Sequence, residues 1–376
     1  MSESLLCNSD KCKRVVIKIG SALLRDATTK KLRENWLASL AEDIMALRSQ
    51  GQQVILVSSG AIAMGQVPLG FNTRPTELEN AQAAAAVGQI RLAHAYQSLF
   101  EPHTVPVAQI LLTLNDLEDR ARYLNARNTI EALLERGAIP IVNENDTVAT
   151  EEIRFGDNDR LAARVAQLCG ADALMILSDI DGLYTANPKS DKTATLIKTV
   201  DEITPAIIAM AGPPLRDTPG SGGMKTKVEA AKIATASGCS MIIANGLQDH
   251  AIANYRTTQH GSLFKAKSAP LAVRKQWIQG LMAPDGYLHI DDGAITALQK
   301  GASLLPAGIT GADGIFKRGN LVAIINGKGK AIGQGLVSYS SQEARAMVGK
   351  RSSEAQQILG YAARTAIIHR DDLILF

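Results

Sequence analysis

Val15-Val16-Ile17-Lys18-Ile19-Gly20-Ser21 is a β-branched run with one charge set inside it and a small, flexible pair closing it, and its reading decides the fold. A strand so continuously apolar is buried on both faces, as in parallel sheets covered by helices. Outward along the chain, similar runs return at Val54-Ile55-Leu56-Val57, Ala138-Ile139-Pro140-Ile141-Val142, Ala173-Leu174-Met175-Ile176-Leu177 and Met241-Ile242-Ile243. Between them Leu37, Leu40, Ala41, Ile44 and Leu47 recur at helical spacing, as do Leu161, Ala162, Val165 and Leu168, each set giving one apolar stripe to lay on a sheet. Alternation of this kind predicts a layered α/β domain with a largely parallel sheet.

After Phe264 the pattern changes. Lys265-Ala266-Lys267-Ser268-Ala269-Pro270 mixes charge, small residues and a proline as a linker does, which predicts a domain boundary here. Beyond Trp277, short strands broken by glycine follow: Gly286-Tyr287-Leu288-His289-Ile290, Leu321-Val322-Ala323-Ile324-Ile325 and Ala331-Ile332-Gly333-Gln334-Gly335-Leu336-Val337. They predict a small β-rich barrel or sandwich. The sequence shows no repeat of solenoid period and no low-complexity tract.

With 376 residues, 46% apolar and 20% charged, the chain has room for one large domain and a smaller one. A formal net charge of +3 makes no electrostatic case for nucleic acid or an acidic membrane, which leaves small, specific ligands as the expectation. Residues 1–14 lack the apolar core of a signal peptide, and no window supplies the ~18 uninterrupted apolar residues of a membrane helix, so a cytoplasmic protein is expected. Cys7, Cys12, Cys169 and Cys239 are too few and too scattered for a disulfide framework or a zinc site, and read as buried or exposed thiols.

Several polar groups stand where such sheets bind ligands. Lys18 either snorkels out at its strand end or meets an anion there, because an ammonium inside an apolar strand is costly to desolvate alone. Ser58-Ser59-Gly60-Ala61-Ile62-Ala63-Met64-Gly65 ends the second strand in small residues, fit for close backbone approach to a ligand or for a plain tight turn. Asn143-Glu144-Asn145-Asp146 follows a buried strand, and Gly156-Asp157-Asn158-Asp159 stands at a helix start. Asp157 or Asp159 can serve as an N-cap, but two such clusters exceed what capping needs and suit an amino-acid head group, ordered lysines or a metal. Ser178-Asp179-Ile180-Asp181-Gly182-Leu183-Tyr184 is either another ligand loop or an Asp-Gly turn. Gly220-Ser221-Gly222-Gly223-Met224-Lys225-Thr226-Lys227 runs into a helical segment, and so either offers amides and charge to phosphate or is a surface loop; no Walker motif occurs.

Taken together and in order, Lys18-Ile19-Gly20-Ser21, the run from Ser58 to Gly65, Asn143-Glu144-Asn145-Asp146, Phe155-Gly156-Asp157-Asn158-Asp159, the run from Ser178 to Tyr184 and Gly222-Gly223-Met224-Lys225-Thr226-Lys227 resemble the motifs of the amino acid kinase family, over the whole chain. The first and last are shared across that family, while the Asn-Glu-Asn-Asp and Gly-Asp-Asn-Asp pair resembles members acting on glutamate. Asp291-Asp292-Gly293-Ala294 and Ser303-Leu304-Leu305-Pro306-Ala307-Gly308-Ile309 resemble a PUA domain, a module otherwise common in RNA-modifying enzymes.

The resemblance implies a three-layer α/β sandwich with a mainly parallel central sheet over residues 10–267 and a β-rich PUA barrel over residues 277–370. It implies ATP-dependent phosphorylation of the side-chain carboxylate of L-glutamate to L-glutamyl 5-phosphate, the first step towards proline. Carried over by position, Ser59, Asp146 and Asn158 hold glutamate, Lys18 and Lys227 bracket the transferring phosphoryl group, and Asp159 orients both lysines. Lys18, Ser178, Asp179, Ser221, Gly222, Gly223, Met224, Lys225, Thr226 and Lys227 contact ATP, with Mg2+ carried mainly on the phosphates. Ala22 stands where a second hydroxyl is frequent, and Lys225 where a smaller residue is usual. Feedback inhibition by proline and assembly as a dimer or tetramer are implied by the family only. The chain ends soon after the PUA-like segment, so the expectation is that the acyl phosphate passes to a separate protein.

A glutamate side chain, with a reference pKa of about 4.3, is already ionised at neutral pH and needs no general base. The competing readings are another family member acting on aspartate, acetylglutamate, carbamate or a nucleotide, and an RNA-binding protein working through the PUA domain. Residues 277–376 hold 10 Lys plus Arg against 8 Asp plus Glu, a balance of +2 that gives RNA little support.

Overall fold

A strand with apolar side chains on both faces is stable only between two other layers. In the computed structural model, which describes residues 6, 12–26, 28–148, 158–212, 223–281, 284–361 and 365–376, such a sandwich surrounds the first strand. β1 (Arg14–Ile19), β2 (Gln53–Ser58), β3 (Val107–Leu112), β4 (Ile139–Glu144), β5 (Ala173–Ser178), β6 (Thr199–Val200), β7 (Ser240–Asn245) and β8 (Ser262–Phe264) form one sheet in the order β3-β4-β2-β1-β5-β7-β8-β6. Every neighbouring pair is parallel except β7 with β8.

The two-residue pleat sorts the side chains of β1 between the layers. Val15, Ile17 and Ile19 join a core with Leu40, Ile44 and Leu47 of the helix Glu34–Ser49. Val16 joins the opposite core, with Leu161, Val165 and Leu168 of the helix Asn158–Cys169 and Ala231 and Ala234 of the helix Met224–Ala236. Lys18 shares the parity of Val16, so its stem enters that second layer. Because β1 pairs with β2 on one side and β5 on the other, the chain leaves it in both directions, and the crevice at the strand ends opens there.

All five strands expected in this region are present, shifted by a residue or two. β4 runs on through Asn143 and Glu144, so the polar motif begins as the strand's own carboxyl end. β3, β6 and β8 have no counterpart among the expected strands. β3 is a half-exposed edge strand interrupted by Gln109, and lacks both the continuous apolar run and the clean alternation that mark a strand.

The chain divides into two units, Met1–Pro270 and Leu271–Phe376. In the second, β9 (Gly286–Ile290), β10 (Ile309–Gly314), β11 (Leu321–Ile325), β12 (Ala331–Leu336) and β13 (Leu373–Leu375) form a sheet in the order β10-β9-β11-β12-β13. Its core is built on Leu288, Ile290, Phe316, Val322, Ile324 and Ile367. Gln334 is buried beside it with its amide satisfied, Nε2 donating to the carbonyls of Ile278 (2.7 Å) and Leu281 (3.2 Å). The small β-rich second domain is as expected. β10 escaped sequence reading because Ile-Thr-Gly-Ala-Asp-Gly carries only two apolar side chains, Ile309 and Ala312, spaced three apart and so off the two-residue alternation of a strand.

Candidate active site

Three charges meet at the carboxyl end of β1. Lys18 Nζ lies 2.7 Å from Asp159 Oδ1, and Lys227 Nζ lies 3.0 Å from Asp159 Oδ2. The side chains are 9%, 5% and 1% exposed for Lys18, Lys227 and Asp159, so the cluster is nearly water-free. Each residue arrives by a separate local cause. Lys18 is set by strand parity, Asp159 by the first turn of the helix Asn158–Cys169, and Lys227 by the first turn of the helix Met224–Ala236, which packs against it. The amine of Lys18 curls over the end of its strand, since a Cβ at Gly20 would sit 4.0 Å from it.

Burial opposes ionisation of Asp159, but Lys18 and then Lys227 outweigh it and hold the carboxyl well below the usual carboxylate range. The three side chains together carry a formal +1, the sign that attracts phosphate oxygens. Gly223, the N-cap of the helix Met224–Ala236, has no side chain to occupy the first-turn amides, which favours an anion there as well. Thr226 Oγ1 lies within reach of Asp159 Oδ2 (3.0 Å) and the Gly223 carbonyl (2.8 Å). Met224 is half-buried and Lys225 exposed.

Asn158, one residue before Asp159, faces a second cluster. Its Nδ2 lies within donating distance of Ser59 Oγ (2.8 Å), Asn143 Oδ1 (3.1 Å) and the Ser58 carbonyl (3.2 Å). Its Oδ1 is buried and accepts no hydrogen bond among the described residues. A buried acceptor left open costs about 1–3 kcal/mol unless a ligand supplies the donor. Asn143 in turn donates to Gln89 Oε1 at 2.7 Å. A small pocket beside these groups is lined by Ser21, Ser59, Arg74, Glu144, Asp146 and Asn158, among others. Burial raises the Asp146 carboxyl to about 6 although Arg74 pulls the other way.

The floor of this pocket rests on a close helix crossing. Gly60 has φ 107°, a left-handed value that favours glycine, and it opens the helix Ala61–Gln66. That helix meets the helix Leu78–Phe100 so tightly that a Cβ on Gly65 would lie 1.8 Å from the Ala84 carbonyl oxygen, and one on Gly88 would lie 1.7 Å from that of Ala61. On the other side of β1, Ser178 is buried at the end of β5 and donates to Asp179 Oδ1 at 3.2 Å, while Asp179 itself is exposed. Asn245 and Tyr184 donate to Asp181 at 2.7 and 2.8 Å, which fixes the following loop against β7.

Residues 13–245 match the Amino acid kinase family, and residues 286–359 match the PUA domain. The chain is 53% identical over 363 residues to a protein of Paramagnetospirillum magneticum named glutamate 5-kinase, which covers 96% of this chain and 98% of that one. It is 54% identical over 363 residues to glutamate 5-kinase 1 of Rhizobium meliloti, with 96% and 92% covered. The chain belongs to the amino acid kinase family. The three-layer sandwich read from the motifs is therefore an amino acid kinase domain, and the β-rich second unit contains a PUA domain.

Within this amino acid kinase, Lys18, Asp159 and Lys227 come together as one cluster, and Ser59, Asp146 and Asn158 as a second. Ser178, Asp179, Gly223, Met224, Lys225 and Thr226 belong to the strand end and helix start on the Lys227 side. Ser221 and Gly222 lie outside the described residues, as do Phe155, Gly156 and Asp157. Sequence reading passed over Gln89 and Arg74. Gln89 sits on a helix as an ordinary polar residue, and Arg74 stands in an irregular stretch with no periodicity to make it conspicuous.

Proposed function

We propose that this amino acid kinase transfers the γ-phosphoryl group of ATP to the side-chain carboxylate of L-glutamate, giving L-glutamyl 5-phosphate, the first step towards proline. The observation that carries this reading is the sharing of Asp159 by Lys18 and Lys227, next in sequence to an asparagine that lines a small pocket of polar and charged side chains. The names of the two relatives support the choice of glutamate as acceptor.

The acceptor carboxylate is ionised at neutral pH and attacks the γ-phosphorus directly. A carboxylate oxygen–phosphorus bond forms, the bond to the β–γ bridging oxygen breaks, and ADP leaves with its electron pair. No proton moves, so the barrier is largely the approach of one anion to another, lowered by positioning and charge neutralisation. Lys18 and Lys227 supply that neutralisation from both sides of the transferring group, with Asp159 keeping their amines aimed. Ser59, Asp146 and Asn158 hold glutamate. Ser178, Asp179 and residues 221–227 hold ATP.

Mg2+ enters as part of the ATP co-substrate. The ion would be carried mainly on the phosphate oxygens of ATP, where it would neutralise their charge, while Asp159 is engaged by the two lysines. We further propose that residues 10–267 are catalytic and 277–370 the PUA domain, with proline as feedback inhibitor, a homo-oligomeric assembly and a cytoplasmic location. No described helix is long and apolar enough to cross a membrane.

Hydroxylamine trapping tests the reaction. With ATP and L-glutamate, hydroxamate should form in step with ADP, whereas aspartate, acetylglutamate, carbamate and UMP should consume little ATP. Preferred turnover of any of those acceptors would reject the assignment.

A further inference from the structure

One cationic side chain of the pocket has no part in phosphoryl transfer. Among the described lining residues Arg74 is the only cation, sharing the wall with the carboxylates of Glu144 and Asp146. It is half-buried, in the stretch between the helices Ala61–Gln66 and Leu78–Phe100, with Pro75 buried next to it. It lies close enough to Asp146 for the two charges to influence each other.

Resting on the glutamate reading, each charge of the ligand must meet a partner in this pocket. Free glutamate brings two carboxylates and one ammonium group. One carboxylate goes to the phosphoryl end, where Lys18 and Lys227 are committed. The ammonium group is matched by Asp146 and by the open Oδ1 of Asn158. What remains is the α-carboxylate, which without a cation would enter a wall already holding two acids. We propose that Arg74 binds the α-carboxylate of the acceptor and thereby makes the pocket select a free α-amino acid over other carboxylates. A guanidinium suits the task because its planar fork takes a carboxylate by two parallel hydrogen bonds.

The test compares L-glutamate with its α-amide, which keeps the ammonium group and the reacting carboxylate but loses the α-charge. In hydroxamate assays on the full chain, Arg74→Ala should lower kcat/KM for glutamate at least about 10-fold while changing the α-amide less than about 2-fold, with KM for ATP unmoved. Arg74→Lys should fall between, keeping charge without the fork. If the alanine variant is unstable, Arg74→Gln should give the same split between acceptors. Equal losses on both acceptors would mean that Arg74 works only through Asp146 or the fold, and would overturn the assignment, as would no loss on either. A wild-type chain inactive on glutamate would sink the function itself and this assignment with it. A wild-type chain active on glutamate whose variant keeps its preference sinks this assignment alone.

Discussion

Asp159→Asn keeps the shape of the side chain and removes only its charge. Lys18 Nζ and Lys227 Nζ, held at 2.7 and 3.0 Å, would then share a nearly water-free site without the anion between them. Removing one partner of a buried ion pair costs about 3–5 kcal/mol. The asparagine oxygen still accepts from one amine, so we expect the lower end, about 3 kcal/mol. For a domain of this size that is a fall in Tm of roughly 6–12 °C. Saturating ATP brings phosphate oxygens to the same amines, so the gap between variant and wild type should narrow when ATP is present. Thermal unfolding of both proteins, with and without ATP, measures it. The folded carboxyl is held below its unfolded value, so its stabilisation is complete above the unfolded pKa and is lost only as pH falls through the folded one. The advantage of wild type should therefore be flat from about pH 5 upward and fade only in strong acid. Equal stability of the two proteins at neutral pH without ATP, or a gap indifferent to ATP, would refute the reasoning.

Asp146, with its carboxyl raised to about 6, should impose an acid limb on kcat/KM for glutamate near that pH, because the protonated form cannot pair with an ammonium group. A raised carboxyl destabilises the fold as pH climbs from the unfolded value to the folded one, so Asp146→Asn should gain stability over wild type between about pH 4 and 6 and hold it above; a profile without the limb would count against the assigned contact. Asn158→Ala should raise KM for glutamate about 10-fold or more with KM for ATP little changed, and a selective loss of ATP binding in titrations would contradict it. Gly88→Ala should destabilise by about 3 kcal/mol, since its Cβ would lie 1.7 Å from a backbone oxygen, and should weaken glutamate binding through the helix that follows Gly60. An unchanged Tm would show that the crossing is looser than it looks.

The layered fold was legible because five buried strands advertise themselves by composition. Lys18 was legible for the same reason, as the one charge in an apolar run. Composition and periodicity could not say which partners it meets, because that depends on β1 being flanked by β2 and β5, a crossover that no local period encodes. Motif resemblance named Asp159 and Lys227, while strand parity and two helix starts explain how they reach the amine of Lys18. Arg74 left no trace because an arginine in an irregular stretch looks like any solvated charge, and only the fold turns it towards a pocket. β3 was missed because an edge strand, wetted on part of its surface, has no clean alternation to read.

Two buried amines, those of Lys18 and Lys227, are proposed to lower the barrier between like-charged reactants. The most direct measurement is the rate of hydroxamate formation at saturating glutamate and ATP for Lys18→Ala and Lys227→Ala beside wild type. Each variant should lose at least about 10²-fold in kcat, the usual scale for removing one preorganised electrostatic partner. A kcat near that of wild type in either would contradict the role assigned to that lysine.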